Sequence, residues 1–367
     1  MVTPLNTPDL AAPPAVAWDP DRDDGLRCVQ VRQETHDVRT FVLAAEAPRS
    51  FRYLPGQFIT LALDIDGHKV HRCYTLSSTP TRPDLASITV KRVPGGQVSN
   101  WLHDHLRVGM RLDAVGPAGE FSCFRHAPVP RYLFLSGGSG ITPLMSMTRA
   151  LHDLGSDADV VFVHCARSPA DLLFPEELTL MARNMAQLRL AMVCEQQAPG
   201  SPYAGHLGRL DAARLAHIAP DFLARDIYTC GPAPFMAAVR QLLSASGYDM
   251  ARYREESFSF AAPAAAAPAP AEGAPVEGAS AVHHILLQTS GQSFTCRSDQ
   301  TLLQAAQAAG VRLPSSCSSG VCGTCKTRKT SGDIEMKHNG GIRNREVEQG
   351  WILPCCSRPL SDVALDR

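Results

Sequence analysis

No apolar run in these 367 residues approaches the ~20 positions a helix needs to cross a bilayer, which excludes a membrane-spanning helix. Net charge is also nearly absent, −1 at pH 7. No global electrostatic case therefore exists for nucleic acid or a membrane surface as partner. The charged-then-apolar order of a secretory signal is missing as well. Met1 to Asp24, rich in Pro, Ala and Asp, reads as a disordered leader. Of the twelve cysteines, eight are scattered, mostly singly within apolar runs such as Val163-His164-Cys165-Ala166. That pattern fits a reducing cytoplasm better than a disulfide framework. Nothing among the residues calls for a general acid–base triad.

The other four cysteines carry the strongest signal. Cys317-x4-Cys322-x2-Cys325 is followed, 30 residues on, by the adjacent pair Cys355-Cys356. Three thiolates in one loop with a distant fourth are the ligand spacing of a [2Fe–2S] cluster, which moves electrons one at a time. Small residues between the ligands (Ser318-Ser319-Gly320-Val321, then Gly323-Thr324) let backbone N–H groups turn towards the cluster sulfurs and tune its potential. A zinc knuckle would pair two short hairpins of ligands instead. Spacing alone leaves Cys355 and Cys356 both open as the fourth ligand.

Length allows two or three domains. Residues 261–281, AAPAAAAPAPAEGAPVEGASA, cannot form a packed core and read as a linker. Residues 25–128 show Val/Ile/Thr/Phe alternation broken by Gly and Pro turns, which predicts an antiparallel β-barrel. Residues 129–260 alternate buried strands (Tyr132–Ser136, Val160–His164, Ile227–Cys230) with helices starting near Pro143, Pro175 and Pro234, which predicts a parallel α/β sheet. Residues 282–367 read as two strands, a helix from Thr301 to Ala309, and the cysteine loop.

Two blocks in the barrel suit a flavin. Arg72-Cys73-Tyr74-Thr75-Leu76-Ser77-Ser78 offers a cation, an aromatic plane and hydroxyls on a strand. Val93-Pro94-Gly95-Gly96-Gln97-Val98-Ser99 is a turn running into a helix, whose N-terminal N–H groups and dipole favour phosphate. In the α/β unit, Ser136-Gly137-Gly138-Ser139-Gly140-Ile141-Thr142 follows a strand and opens a helix, so backbone can approach a pyrophosphate. Cys230-Gly231-Pro232 ends another strand, where ligands of such sheets sit.

In order and separation these blocks resemble the ferredoxin–NADP reductase superfamily of flavoproteins, here with a plant-type ferredoxin domain of β-grasp fold at the C-terminus. The resemblance implies that Arg72, Tyr74, Thr75, Ser77, Gly96, Val98 and Ser99 hold the flavin, FAD rather than FMN. It implies that Gly137, Gly138, Thr142, Gly231 and Pro232 flank the nicotinamide nucleotide. Arg167 falls where the superfamily meets the adenosine ribose; NADH is expected over NADPH. Cys230, Glu256 and Phe258 fall nearest the reacting rings, and in similar bacterial proteins the aromatic ring covers the flavin until nicotinamide displaces it. The stretch Trp351-Ile352-Leu353-Pro354-Cys355 is similar to the plant-type ferredoxin ending and selects Cys355, with Cys317, Cys322 and Cys325, as iron ligands.

Further runs, among them His338-Asn339-Gly340-Gly341-Ile342, resemble the reductase subunits of Rieske-type two-component oxygenases, those demethylating glycine betaine in particular. The implied circuit is NADH to FAD to [2Fe–2S] to a Rieske-type oxygenase partner. Other outlets for such a chain are a hybrid-cluster protein, another oxygenase, or stand-alone use as a redox sensor or ferric reductase. Residues 282–367 carry a balance of +3, and Lys326, Arg328 and Lys329 directly follow Cys325, so positive charge is expected where electrons leave.

Overall fold

The computed structural model describes residues 16–19, 25–197, 202–258, 281–311, 313, 320, 323, 325–338 and 341–367. Cys317, Cys322, most of the leader and nearly all of the linker lie outside them. No described helix is long and apolar enough to cross a membrane.

Alternation of apolar and polar residues with period two forces one face of a strand inwards. It does so along β1 (Leu26–Thr35), β2 (Val38–Ala45), β3 (Phe58–Ile65), β4 (His68–Thr75), β5 (Ala86–Lys91) and β6 (Arg111–Ala118). These pair antiparallel in the order β4-β3-β6-β1-β2-β5. Leu76, just past β4, bridges Ile88 on β5, so the two edges of the sheet meet. The interior is packed with Leu26, Phe41, Leu43, Ile59, Leu61 and Ile88, all essentially inaccessible to water. One helix, α1 (Gln97–His105), covers an end and buries Val98 and Leu102. The leader expectation needs correction at residues 16–19. Trp18 packs into this core against Phe51, with ring centroids 5.6 Å apart, and Ala17 bridges Ser50. Burial of the indole against the apolar wall offsets the chain entropy lost by ordering this short segment.

The second unit holds β7 (Arg131–Gly137), β8 (Asp159–Ala166), β9 (Leu188–Cys194), β10 (His206–Leu207), β11 (Asp226–Gly231) and β12 (Tyr253–Ser257). They run parallel in the order β10-β9-β8-β7-β11-β12. The helices are α2 (Ile141–Asp153), α3 (Pro175–Asn184), α4 (Ala212–Ile218) and α5 (Ala233–Ala245). Strand order reverses between β7 and β11. A crevice opens outside the strand ends at that point, the usual ligand position in such sheets.

The third unit is a mixed five-stranded sheet, order β14-β13-β19-β15-β17. Its strands are β13 (Val282–Leu287), β14 (Ser293–Arg297), β15 (Thr327–Ser331), β17 (Trp351–Ile352) and β19 (Val363–Asp366), with a separate two-stranded antiparallel sheet of β16 (Ile334–Met336) and β18 (Ser357–Pro359). Helix α6 (Leu302–Ala308) packs on it and starts at a reciprocal cap between Thr301 and Gln304. A short helix, α7 (Asn344–Glu348), leads into β17.

Candidate functional site

Strand β4, the N-terminus of α1, the loop after β7 and the end of β12 converge on one cleft of about 440 Å³. Such a volume suits a cofactor. Arg72, Tyr74, Thr75, Gly96, Val98, Ser99, Thr142, Glu256 and Phe258 all line it, so nine of the anticipated residues come together from four distant stretches of chain. Gly96 stands at the N-cap of α1 and offers no side-chain cap, which leaves the first amides of the helix for an anion. Ser99 differs from expectation in detail. Its hydroxyl accepts from the Val93 amide and donates to the Gly96 carbonyl, so it shapes the turn. Ser77 does not line the cleft. Its buried hydroxyl bonds Thr89 Oγ1 at 2.9 Å and the Ser87 carbonyl inside the barrel, because it falls on the inward face of the chain leaving β4. Thr89 and Lys91, on β5, line the cleft and were missed. Lys91 is fixed by Asp37 at 3.1 Å. A lysine closing a strand carries little sequence signal.

Burial at the cleft disturbs titration. Glu256 is pushed up to about 8, first by desolvation and then by the neighbouring Cys73 thiol. Its Oε2 is inaccessible to water and has no hydrogen-bond partner among the described residues. A buried carboxyl oxygen of this kind awaits a partner that the described residues do not supply. With the adjacent aromatic residues, the cations and the uncapped helix end, the residues fit a flavin dinucleotide. Phe258, packed partly against the α/β core, closes one side.

The nicotinamide loops meet at the reversal of strand order. A Cβ added at Gly140 would run into the Cys230 carbonyl, and one at Gly231 would lie 3.2 Å from Gly137 Cα. Only glycine permits that approach. Ser139 and Thr142 face the flavin cleft from this loop. Gly137, Gly138, Gly231 and Pro232 stand behind them rather than on the cleft wall. Cys230 is fully buried, and desolvation together with Glu256 and Glu255 raises its thiol well above the ordinary range. It is a neutral thiol, not an ionised one.

Ser136 anchors the loop from below through His164, 2.8 Å away. The Leu173 amide donates to His164 Nε2, so Nδ1 carries the proton and donates to Ser136 Oγ. Complete burial pushes this imidazole down to about 3, leaving it neutral. Arg167 bonds Asp171 at 3.0 Å and lies 3.8 Å from Asp37. Burial acts against ionisation of Asp171, but the Ser168 hydroxyl and the Arg167 charge outweigh it and hold the carboxyl low.

The flavin and nicotinamide walls are tied by α2. Its buried Arg149 donates to the Ser77 carbonyl, pairs with Glu177 at 2.6 Å, and lies 5.0 Å from the centre of the Phe174 ring. Ser146, one turn earlier, donates to the Ser78 carbonyl.

In the third unit, the sulfurs of Cys325 and Cys355 lie 3.3 Å apart, both buried. That is too far for a disulfide and suits two ligands of one metal centre. The Gly320 amide donates to Cys355 Sγ at 3.3 Å. Two soft sulfur donors with a backbone N–H aimed at one of them fit an iron–sulfur cluster. The Cys356 sulfur lies 3.5 Å from the Leu353 carbonyl and packs beside Gly320. The basic exit expected after Cys325 is thinner than its sequence suggests. Lys326 is 6% exposed and pairs with Glu346 at 2.7 Å, and Lys329 bonds the Gly332 carbonyl, which leaves Arg328 exposed.

A barrel with a flavin cleft, a nucleotide crevice opening into it and a buried cysteine pair beyond define a pyridine-nucleotide-dependent flavin reductase with a fused iron–sulfur domain. The chain matches the oxidoreductase FAD-binding domain family over residues 26–123, the oxidoreductase NAD-binding domain family over 134–241, and the 2Fe–2S iron–sulfur cluster binding domain family over 285–360. It is 47% identical to the glycine betaine monooxygenase reductase subunit of Pseudomonas aeruginosa over 93% of this chain and 94% of that one. It is 44% identical to the stachydrine N-demethylase reductase subunit of Rhizobium meliloti over 93% of this chain and 96% of that one. The solved structure of phthalate dioxygenase reductase, described as modular for electron transfer from pyridine nucleotides to [2Fe–2S], superposes with a TM-score of 0.55 at 25% identity, over 95% of this chain and all of that one. The chain belongs to the family of FAD- and [2Fe–2S]-containing, NAD(P)H-dependent reductases that includes the glycine betaine monooxygenase reductase subunits.

Proposed function

We propose that this chain is the reductase component of a cytoplasmic two-component oxygenase system, passing electrons from NADH through FAD and a [2Fe–2S] cluster to a separate Rieske-type oxygenase that demethylates glycine betaine. The working units are residues 25–128, 129–260 and 282–367. The observation that carries the reading is the shared cleft, where Tyr74, the α1 N-terminus, Thr142 and Phe258 meet at the reversal of strand order. When bound, FAD supplies hydride acceptance and release of single electrons, and the cluster supplies one-electron transfer.

The chain's own part is to bind and to position. Arg72 and the amides after Gly96 receive phosphate. Tyr74 and Thr75 lie along the ring. Glu256, kept protonated near neutral pH by burial, donates or accepts at the ring edge without placing a charge there. Phe258 screens the reacting face from water. Gly137, Gly138, Gly140, Gly231 and Pro232 let the dinucleotide backbone approach, with Cys230 packed neutral below. Asp37 and Asp171 surround Arg167 with negative charge, which disfavours a 2′-phosphate and supports NADH as donor. Cys317, Cys322, Cys325 and Cys355 hold the cluster.

The similarity to the stachydrine N-demethylase reductase favours one second reading, an oxygenase acting on another quaternary N-methylated amino acid. The test mixes the purified holoenzyme, NADH and a Rieske-type oxygenase, with glycine betaine or stachydrine in turn. Formaldehyde release with glycine betaine is expected. Release only with stachydrine would shift the substrate. Brisk NADH oxidation by ferric iron, with no formaldehyde from either, would remove the oxygenase role.

A further inference from the structure

The iron–sulfur unit shares no strand ladder with the flavin barrel among the described residues. One side chain nevertheless crosses between them. Arg343 Nη2 donates to the Ala114 carbonyl at 2.6 Å, a contact between residues 229 positions apart. Ala114 lies on β6 opposite Leu61 of β3, and Leu61 lies opposite Arg72 of β4, a wall of the flavin cleft. Two ladder steps separate the contact from that wall, about 10 Å. β6 pairs with β1 only at Arg111 and Leu112, so the edge beyond them is open to a group from elsewhere. Arg343 Nε is shielded from water, and the bond from Nη2 is part-buried. A guanidinium donating to a carbonyl makes a charge-assisted bond.

On the other side the residue is joined to the cluster cysteines. The Arg343 amide donates to Glu346 Oε2 at 2.9 Å, and Glu346 Oε1 accepts from Lys326 Nζ at 2.7 Å. Lys326 directly follows Cys325. One carboxylate therefore fixes the start of α7, which carries the crossing side chain, to the residue beside the thiolate pair.

We propose that Arg343 is a positioning residue, a latch that seats the iron–sulfur unit on β6 of the flavin barrel and so sets the speed of electron passage from flavin to cluster. The latch rests on the reductase reading above and adds the element that orients its two halves. Removing the guanidinium leaves the amide bond to Glu346, and with it the cluster loop, in place. Loss of one charge-assisted bond lowers the docking equilibrium about tenfold or more.

The test compares the full-length holoenzyme with its Arg343→Met and Arg343→Lys variants. Stopped-flow traces separate flavin reduction by NADH from bleaching of the cluster. Hydrogen–deuterium exchange of residues 111–118 reports docking without turnover. In Arg343→Met, flavin reduction should match wild type, cluster reduction should slow about tenfold, and exchange at 111–118 should rise. Arg343→Lys should recover part of both. Should Arg343→Met lose its cluster spectrum, Arg343→Gln takes its place. Unchanged cluster reduction and unchanged exchange in a cluster-loaded variant overturn the latch. A wild-type chain whose cluster NADH cannot reduce would instead overturn the reductase reading, while the exchange data would still decide the latch.

Discussion

At the scale of single residues, adjacent cysteines have different fates. Cys355 Sγ faces Cys325 and receives the Gly320 amide, whereas Cys356 Sγ points to the Leu353 carbonyl. Cys355→Ser should abolish the visible spectrum of the cluster, and Cys356→Ser should leave most of it; the reverse pattern on iron and sulfide analysis would exchange their roles. Glu256 makes a second prediction. The folded chain without flavin keeps a proton up to about pH 8 that the unfolded chain releases near pH 4.5. The native state thus binds more protons in that window, and stability must fall as pH rises through it, by up to about 1.4 kcal/mol per unit. Glu256→Gln should flatten this decline in thermal melts of the flavin-free protein. An unchanged slope would place the proton elsewhere.

At the scale of elements, the packing of the loop after β7 against the end of β11 decides nucleotide binding. Gly140→Val drives a side chain into the Cys230 carbonyl. Because a displacement of about 1 Å can cost about 100-fold in rate, kcat/KM for NADH should drop by about that factor. The flavin spectrum, set by the barrel, should persist; its loss would mean that the loop also supports the flavin. Helix α2 couples the two walls through Arg149, which bonds the Ser77 carbonyl and Glu177. Arg149→Leu should lower stability by about 2–3 kcal/mol, the worth of hydrogen bonds to a charged group, as read by denaturant unfolding.

At the scale of the whole molecule, the three units make separable contributions. A chain truncated after residue 262 should stay yellow with FAD and reduce dyes with NADH, yet fail to support an oxygenase. If it binds no flavin, the barrel and α/β unit do not suffice for the site. The sequence balance of +3 over residues 282–367 argues for an acidic docking face on the partner. The Debye length shrinks from ~10 Å at 0.1 M salt to ~3 Å at 1 M. Cluster-to-oxygenase transfer should slow over that range while NADH-to-flavin reduction changes little. With Lys326 buried in its pair with Glu346, reversal at Arg328 should mimic high salt more strongly than reversal at Lys326.

Local chemistry made much of this legible before any coordinates. The cysteine spacing, the glycine turns and the two hydrophobic periods are short-range properties, and they placed the strands from Tyr132, Val160 and Ile227 and the helix capped by Thr301 within a residue or two of where they lie. Whether a side chain points into a cleft or a core depends on which strand face closes the barrel, and that is a long-range property. Hence Ser77, two residues beyond Thr75, turns inwards to the buried Thr89 hydroxyl, while Lys91 reaches the cleft unannounced. Trp18 likewise reads as part of a leader until the apolar wall that receives it exists. Glu256 is an ordinary carboxylate in the sequence. Only the folded chain removes its water, and desolvation is what makes it a neutral acid near pH 7. The sequence by itself determined the iron–sulfur cluster and the order of the units, because those follow from local spacing and composition. The tertiary structure alone decided which residues face the flavin and that Arg343 meets Ala114, because those contacts join segments far apart in the chain.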